Sequence, residues 1–86
     1  MLILKNEKKI MTGKLTKFKS GVKVKIKKIE TAKRTTLNLR NLGIQEGYVV
    51  KIIRESKLKG PIIIDRDETE IALGYNLAQK ITAESI

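Results

Sequence analysis

The chain has 86 residues, 41% of them hydrophobic, which is enough for one small domain with its own core. Cysteine and histidine are both absent, which excludes disulfides and zinc, copper or iron sites of the usual nitrogen or sulfur kind, and leaves only oxygen ligands for any cation. The net charge of +10 is lopsided, because residues 1–34 carry 12 Lys or Arg against 2 Glu while residues 35–86 carry 7 against 7 Asp or Glu. The excess on one side points either to an anionic partner (nucleic acid, acidic protein or anionic lipid) or to a plain solvated lysine surface. No apolar run approaches the roughly 18 residues that span a bilayer. Met1–Leu4 is also too short for a signal-peptide core. The chain is therefore expected in the cytoplasm, and the lack of cysteine fits a reducing compartment.

Residues 1–10 read as an appended extension, either disordered or a loosely docked strand, with Met11 as a second candidate start. Residues 11–86 read as the domain. Leu15 and Phe18, three apart, predict a short helical turn that plugs a core, followed by a turn at Ser20-Gly21. From Val22 to Lys27 the sequence alternates strictly. This predicts a strand with Val22, Val24 and Ile26 inward and Lys23, Lys25 and Lys27 in a ladder on the solvent face. A helix is expected over 35–42, with Thr31, Thr35 and Thr36 as candidate N-caps among which the sequence does not choose. Lys33 and Arg34 lie near its start, where the helix dipole disfavours cations.

The stretch from Leu39 to Val50 organises the rest. Leu39 and Leu42 are expected on one helical face. Gly43 suits the left-handed position just past a helix end, and Ile44 falls where a Schellman stop places an apolar residue against Leu39. Gly47 allows a second sharp turn into a strand over Tyr48–Glu55, with Tyr48, Val50 and Ile52 inward and Val49 and Ile53 on the other face. A loop at Ser56–Pro61, a strand at Ile62–Ile64, a polar turn at Asp65–Thr69 and a strand at Glu70–Leu73 follow. A helical turn near 75–79 and a last strand at Lys80–Glu84, with Ile81 and Ala83 inward, end the chain. About five short strands with one real helix predict a mainly β fold, a small bent barrel that hides its sheet edges by closing on itself.

Taken in order, Leu15-x-x-Phe18-x-x-Gly21, the alternating strand from Val22, Leu39-x-x-Leu42-Gly43-Ile44-x-x-Gly47, Gly60-Pro61-Ile62, Ile71-Ala72-Leu73 and Ala78-x-x-Ile81 resemble the FeoA family over residues 11–86. The resemblance implies an SH3-like barrel. It also implies a non-enzymatic, cytoplasmic role in bacterial ferrous iron uptake, through contact with FeoB, a permease with a cytoplasmic GTP-binding domain. Annotation of such proteins with transition metal ion binding fits the same context. The same barrel type occurs at the C-terminus of iron- and manganese-dependent repressors, which makes a regulatory domain an alternative. The sequence departs from the pattern at Asp67-Glu68, where the family often has glycine.

Catalytic chemistry has no foothold: Ser20, Ser56 and Ser85 lack a base at a recognisable spacing, and no phosphate-binding glycine loop is present. No resident cofactor is expected. Asp65, Asp67, Glu68 and Glu70 are weak candidates for a divalent cation, without the calcium-loop pattern. Lys23, Lys25 and Lys27, with Lys14, Lys17, Lys19 and Lys28, are candidates for an anionic surface, either nucleic-acid phosphates or the inner-membrane leaflet beside a permease. The chain has only 3 aromatic residues, Phe18, Tyr48 and Tyr75, which disfavours a nucleic-acid reader. Val49, Ile53 and Ile63 alternate away from the expected core. They are either covered by other parts of the chain or available to FeoB or a second copy of the chain.

Overall fold

The computed structural model describes residues 10–86, so the extension read over residues 1–10 lies, except for Ile10, outside the described residues. The elements are β1 (Thr12–Lys14), a 3-10 turn at Leu15–Lys17, β2 (Lys23–Ile29), α1 (Lys33–Asn41), β3 (Val49–Arg54), β4 (Ile62–Arg66), β5 (Thr69–Leu73), α2 (Tyr75–Ala78) and β6 (Ile81–Ser85). Among the described residues the strands form one antiparallel sheet of 6 in the order β1-β6-β2-β3-β4-β5. The sequence had signalled about five. Thr12-Gly13-Lys14 shows no alternation of its own and becomes a strand because β6 supplies its partners, Thr12 against Glu84 and Lys14 against Thr82.

Each longer strand contributes one inward pair to the core: Val24 and Ile26, Val50 and Ile52, Ile62 and Ile64, Ile71 and Leu73, Ile81 and Ala83. Leu15 and Phe18 from the 3-10 turn, and Leu39 and Ile44 from the helix stop, complete it. Val22 falls just before β2 and packs half-buried against this cluster. Thr16 hydrogen-bonds Gln79 Oε1, tying the 3-10 turn to the end of α2. Register shifts at Lys27 in β2 and at Ile53 in β3 are bulges, and such extra residues bend a strand and curl its sheet. Among the described residues the sheet edges are not joined by strand pairing, so the expected SH3-like fold is present but not closed edge to edge. Its edges, β1 and β5, do not pair with each other, and β1 is only 3 residues long, too short a template for further pairing.

The helix stop has the expected form. Ile44 N–H donates to Leu39 C=O at 2.9 Å, Gly43 N–H donates to Arg40 C=O at 2.9 Å, and Gly43 has φ 85°. Leu39 and Ile44 are both buried, as the apolar clasp of such a stop requires. Leu42 is a correction: it is 52% exposed rather than on the core face. It is the C-cap, at φ −90° and ψ 3°, so it has left the helical spiral and Ile44 takes the core slot. The turn Gln45–Tyr48 follows, closed by Tyr48 N–H to Gln45 C=O at 3.1 Å with Gly47 at φ 91°. Gly47 N–H then donates to Ile26 C=O at 2.7 Å, and Ile26 N–H to Tyr48 C=O at 2.8 Å, which lays β3 directly beside β2.

Two further corrections concern α1 and its exit. The helix begins at Lys33, with Ala32 as N-cap and no side-chain cap. None of the three threonines caps it: Thr35 and Thr36 lie inside the helix, and the Thr31 hydroxyl bonds that of Thr36 at 2.6 Å. Tyr48 precedes β3 and is half-buried rather than fully inward.

Candidate functional site

The lysine ladder is present. Lys23, Lys25 and Lys27 are exposed on the outer side of β2, opposite the buried Val24 and Ile26. It is unevenly compensated. Lys27 lies 3.7 Å from Glu84 of β6, and Glu84 is also the register partner of Lys25. Lys28, beyond the bulge, pairs with Glu30 at 3.2 Å. At the other end of the strand, Lys23 is matched with Lys51 of β3, like charge beside like charge. Lys14, Lys17 and Lys19 are exposed around the 3-10 turn and the loop after it.

The apolar trio does not form one patch. Val49 is 44% exposed and Ile53 37% exposed, with Lys51 between them along β3. Val49 instead lines an open hollow of about 530 Å³ with Ile10 and Ile86, rimmed by Lys25 and Glu84. Ile53 is the bulged residue, and Ile63 is half-buried beside it, opposite Ala72.

The acidic candidates are spread out. Asp67 and Glu68 form the tip of the β4–β5 hairpin at φ 51° and 68°. This is the left-handed pair of a two-residue hairpin turn, adopted without glycine. Asp67 pairs with Arg66, and Asp65 is the register partner of Glu70. Among the described residues, no three acidic side chains come together in a cluster able to hold a metal ion.

Two arrangements were not read from the sequence. Arg66 Nε donates to Gly43 C=O at 2.7 Å, and its guanidinium lies 4.5 Å from the centre of the Tyr48 ring. One side chain of β4 thus clasps both the helix stop and the start of β3. Nothing local marks Arg66 for this role, since its partners are 23 and 18 residues away. The second joins Ser20 and Glu55. Ser20 N–H donates to Glu55 Oε1 at 3.0 Å, and Glu55 N–H donates to Ser20 Oγ at 3.2 Å. The Ser20 backbone hydrogen bond, with its hydroxyl and the charges of Lys57 and Lys19 adding to it, holds the Glu55 carboxyl below its ordinary value against a desolvation effect of opposite sign. Of the aromatic side chains, Phe18 is buried, and Tyr48 and Tyr75 are half-buried, so none stands out as a platform for stacking bases.

A curled antiparallel sheet with a helix stop clasped to its first long strand pair is the geometry on which the comparisons bear. Residues 13–85 match the family model described as FeoA domain. The chain belongs to the FeoA family. A curated relative from Methanocaldococcus jannaschii, provisionally described as Fe(2+) transport protein A, is 38% identical over 66 residues, covering 77% of this chain and 78% of the relative. A crystal structure described as iron uptake regulatory protein FeoA superposes with a TM-score of 0.80 at 22% identity, covering 88% of this chain and all of that one. The structure of ScaR with bound Zn2+ superposes at 0.75 and 20% identity, covering 99% of this chain and 40% of ScaR. At such identities these structural likenesses establish the SH3-like fold, shared by FeoA proteins and by part of a larger regulator.

Proposed function

We propose that this FeoA protein is a non-enzymatic, cytoplasmic accessory of ferrous iron uptake that acts by contact with a FeoB-type permease. The observation that carries this reading is the match of residues 13–85, the whole barrel, to a transport-associated family. A strand face of exposed lysines lies beside an open hollow whose floor is Val49, Ile10 and Ile86 and whose rim is charged. An apolar middle with a polar rim is the general anatomy of a protein contact. Pull-down with the cytoplasmic domain of a FeoB-type permease tests it. Wild-type chain is retained, and Val49→Lys and Ile53→Lys are released while their circular dichroism is unchanged. Wild-type chain that passes through unretained overturns the reading.

The likeness to ScaR favours a second reading, in which the barrel is a free-standing counterpart of a repressor's regulatory region. Retention by a repressor's DNA-binding portion, and not by the permease domain, distinguishes it.

A further inference from the structure

The loop between β3 and β4 carries an apolar side chain that the fold does not use. Leu58 is fully exposed, and it sits at φ 53° with Lys59 at φ 62°. The left-handed region is costly for a residue with a γ-branched side chain and free for glycine, so nothing in the folding of the barrel favours leucine there. The turn is nonetheless held firmly. Gly60 N–H donates to Lys57 C=O at 2.8 Å, and Ser56 Oγ donates to Gly60 C=O at 2.6 Å. Leu58 is therefore presented by a braced turn. Among the described residues it is the one apolar side chain held at positive φ.

The surroundings are cationic. Lys57 and Lys59 flank Leu58, and the nearest carboxylate along the chain, Glu55, accepts hydrogen bonds from Ser20 at the surface and offsets part of the charge of Lys57 and Lys19, leaving the loop net positive. Ser20 connects this tip to Lys19 and Lys17, which line a shallow hollow with the exposed Met11. One end of the barrel thus combines protruding Leu58, exposed Met11 and four lysines. The protruding residue itself is aliphatic rather than the aromatic side chain that usually anchors a partner's pocket, and exposed Arg54 at the end of β3 adds to the positive charge. Long lysine stems that carry their charge outward around one aliphatic tip match a layer of anionic headgroups above hydrocarbon.

We propose that this end of the barrel is a lipid-contact surface. Leu58 enters the interfacial layer of an anionic bilayer, while Lys57, Lys59, Lys17 and Lys19 lie on phospholipid headgroups. The contact fixes which way the barrel faces at a membrane, with Val49 at the far end of β3 from the tip. It does not depend on the identity of the protein partner.

The experiment is cosedimentation of the full chain with mixed phosphatidylcholine–phosphatidylglycerol vesicles and with pure phosphatidylcholine vesicles. Wild-type chain partitions onto the mixed vesicles only. Lys57→Gln and Lys59→Gln each weaken this about fivefold. Leu58→Gly also weakens it about fivefold, yet its melting temperature does not fall, because glycine relaxes the turn. The chain has no tryptophan, so Leu58→Trp adds a single reporter whose emission shifts to the blue on mixed vesicles. Equal binding to both vesicle types overturns the proposal. So does wild-type affinity of Leu58→Gly, or an unshifted Leu58→Trp spectrum, either of which would leave only diffuse attraction between lysines and lipid. If Leu58→Gly loses the permease domain but keeps its vesicle binding, the tip is a protein contact and the proposal also falls.

Discussion

The α1–β3 connection and the two hairpin tips solve the same backbone problem in opposite ways. Both need left-handed residues. The connection places glycine there, Gly43 at φ 85° and Gly47 at φ 91°, while the tips place Leu58 and Lys59, or Asp67 and Glu68. At Gly43 the reason is crowding as well as backbone preference, since an added Cβ would lie 3.2 Å from Arg66 Nε. The tips face solvent, so their only penalty is local backbone strain, about 1–2 kcal/mol per residue. Gly47, with nothing within 4 Å of an added Cβ, is glycine on backbone grounds alone, whereas the packed site at Gly43 adds a steric reason. A site open to water accepts a strained residue and leaves its side chain free for other use.

Gly43→Val breaks the first half of this comparison and carries the largest expected effect. A β-branched residue at positive φ, pressed against the Arg66 clasp, costs about 3 kcal/mol, or roughly a 15 °C fall in melting temperature for a domain of this size. Calorimetry checks it, and a fall of only a few degrees would show that the clasp yields. Glu68→Gly sharpens the second half. It leaves the Asp67–Arg66 pair intact and relaxes one strained residue, so stability rises by about 0.5 kcal/mol in denaturant titration. The smallest effect concerns the brace at the base of the Leu58 tip. The folded-state value of Glu55 is lowered, so its contribution is fully present above the ordinary value of 4.5 and is lost as pH falls through the lowered one. Glu55→Gln is therefore slightly less stable than wild type at neutral pH, and the difference disappears in acid. Melting curves across that range check the sign.

Much of the barrel was legible because its signals are local. Strict alternation at Val22–Lys27 marked an outer lysine face, and Leu39, Gly43 and Ile44 marked a Schellman stop. Signals that required a distant partner were not legible. Thr12–Lys14 is a strand only because β6 lies beside it. Leu42 shares the spacing of a core residue, but the chain leaves the helix at that point and Ile44 fills the place. Thr31 reads as a cap, yet its hydroxyl is taken by Thr36. Lys51 between Val49 and Ile53 is plain in the sequence, but the bulge at Ile53 depends on pairing with β4 and has no local signal. The acidic run 65–70 is divided between a hairpin tip, an ion pair with Arg66 and a cross-strand pair.

The sequence by itself determined the mainly β architecture, the family resemblance and the sign of the surface charge, because alternation, glycine stops and composition act within a few residues. The tertiary structure decided where those charges are neutralised, that Arg66 locks the helix stop to β3, and that Leu58 projects on a braced turn among lysines. Each of these depends on residues brought together from distant parts of the chain, and only the folded sheet sets those distances.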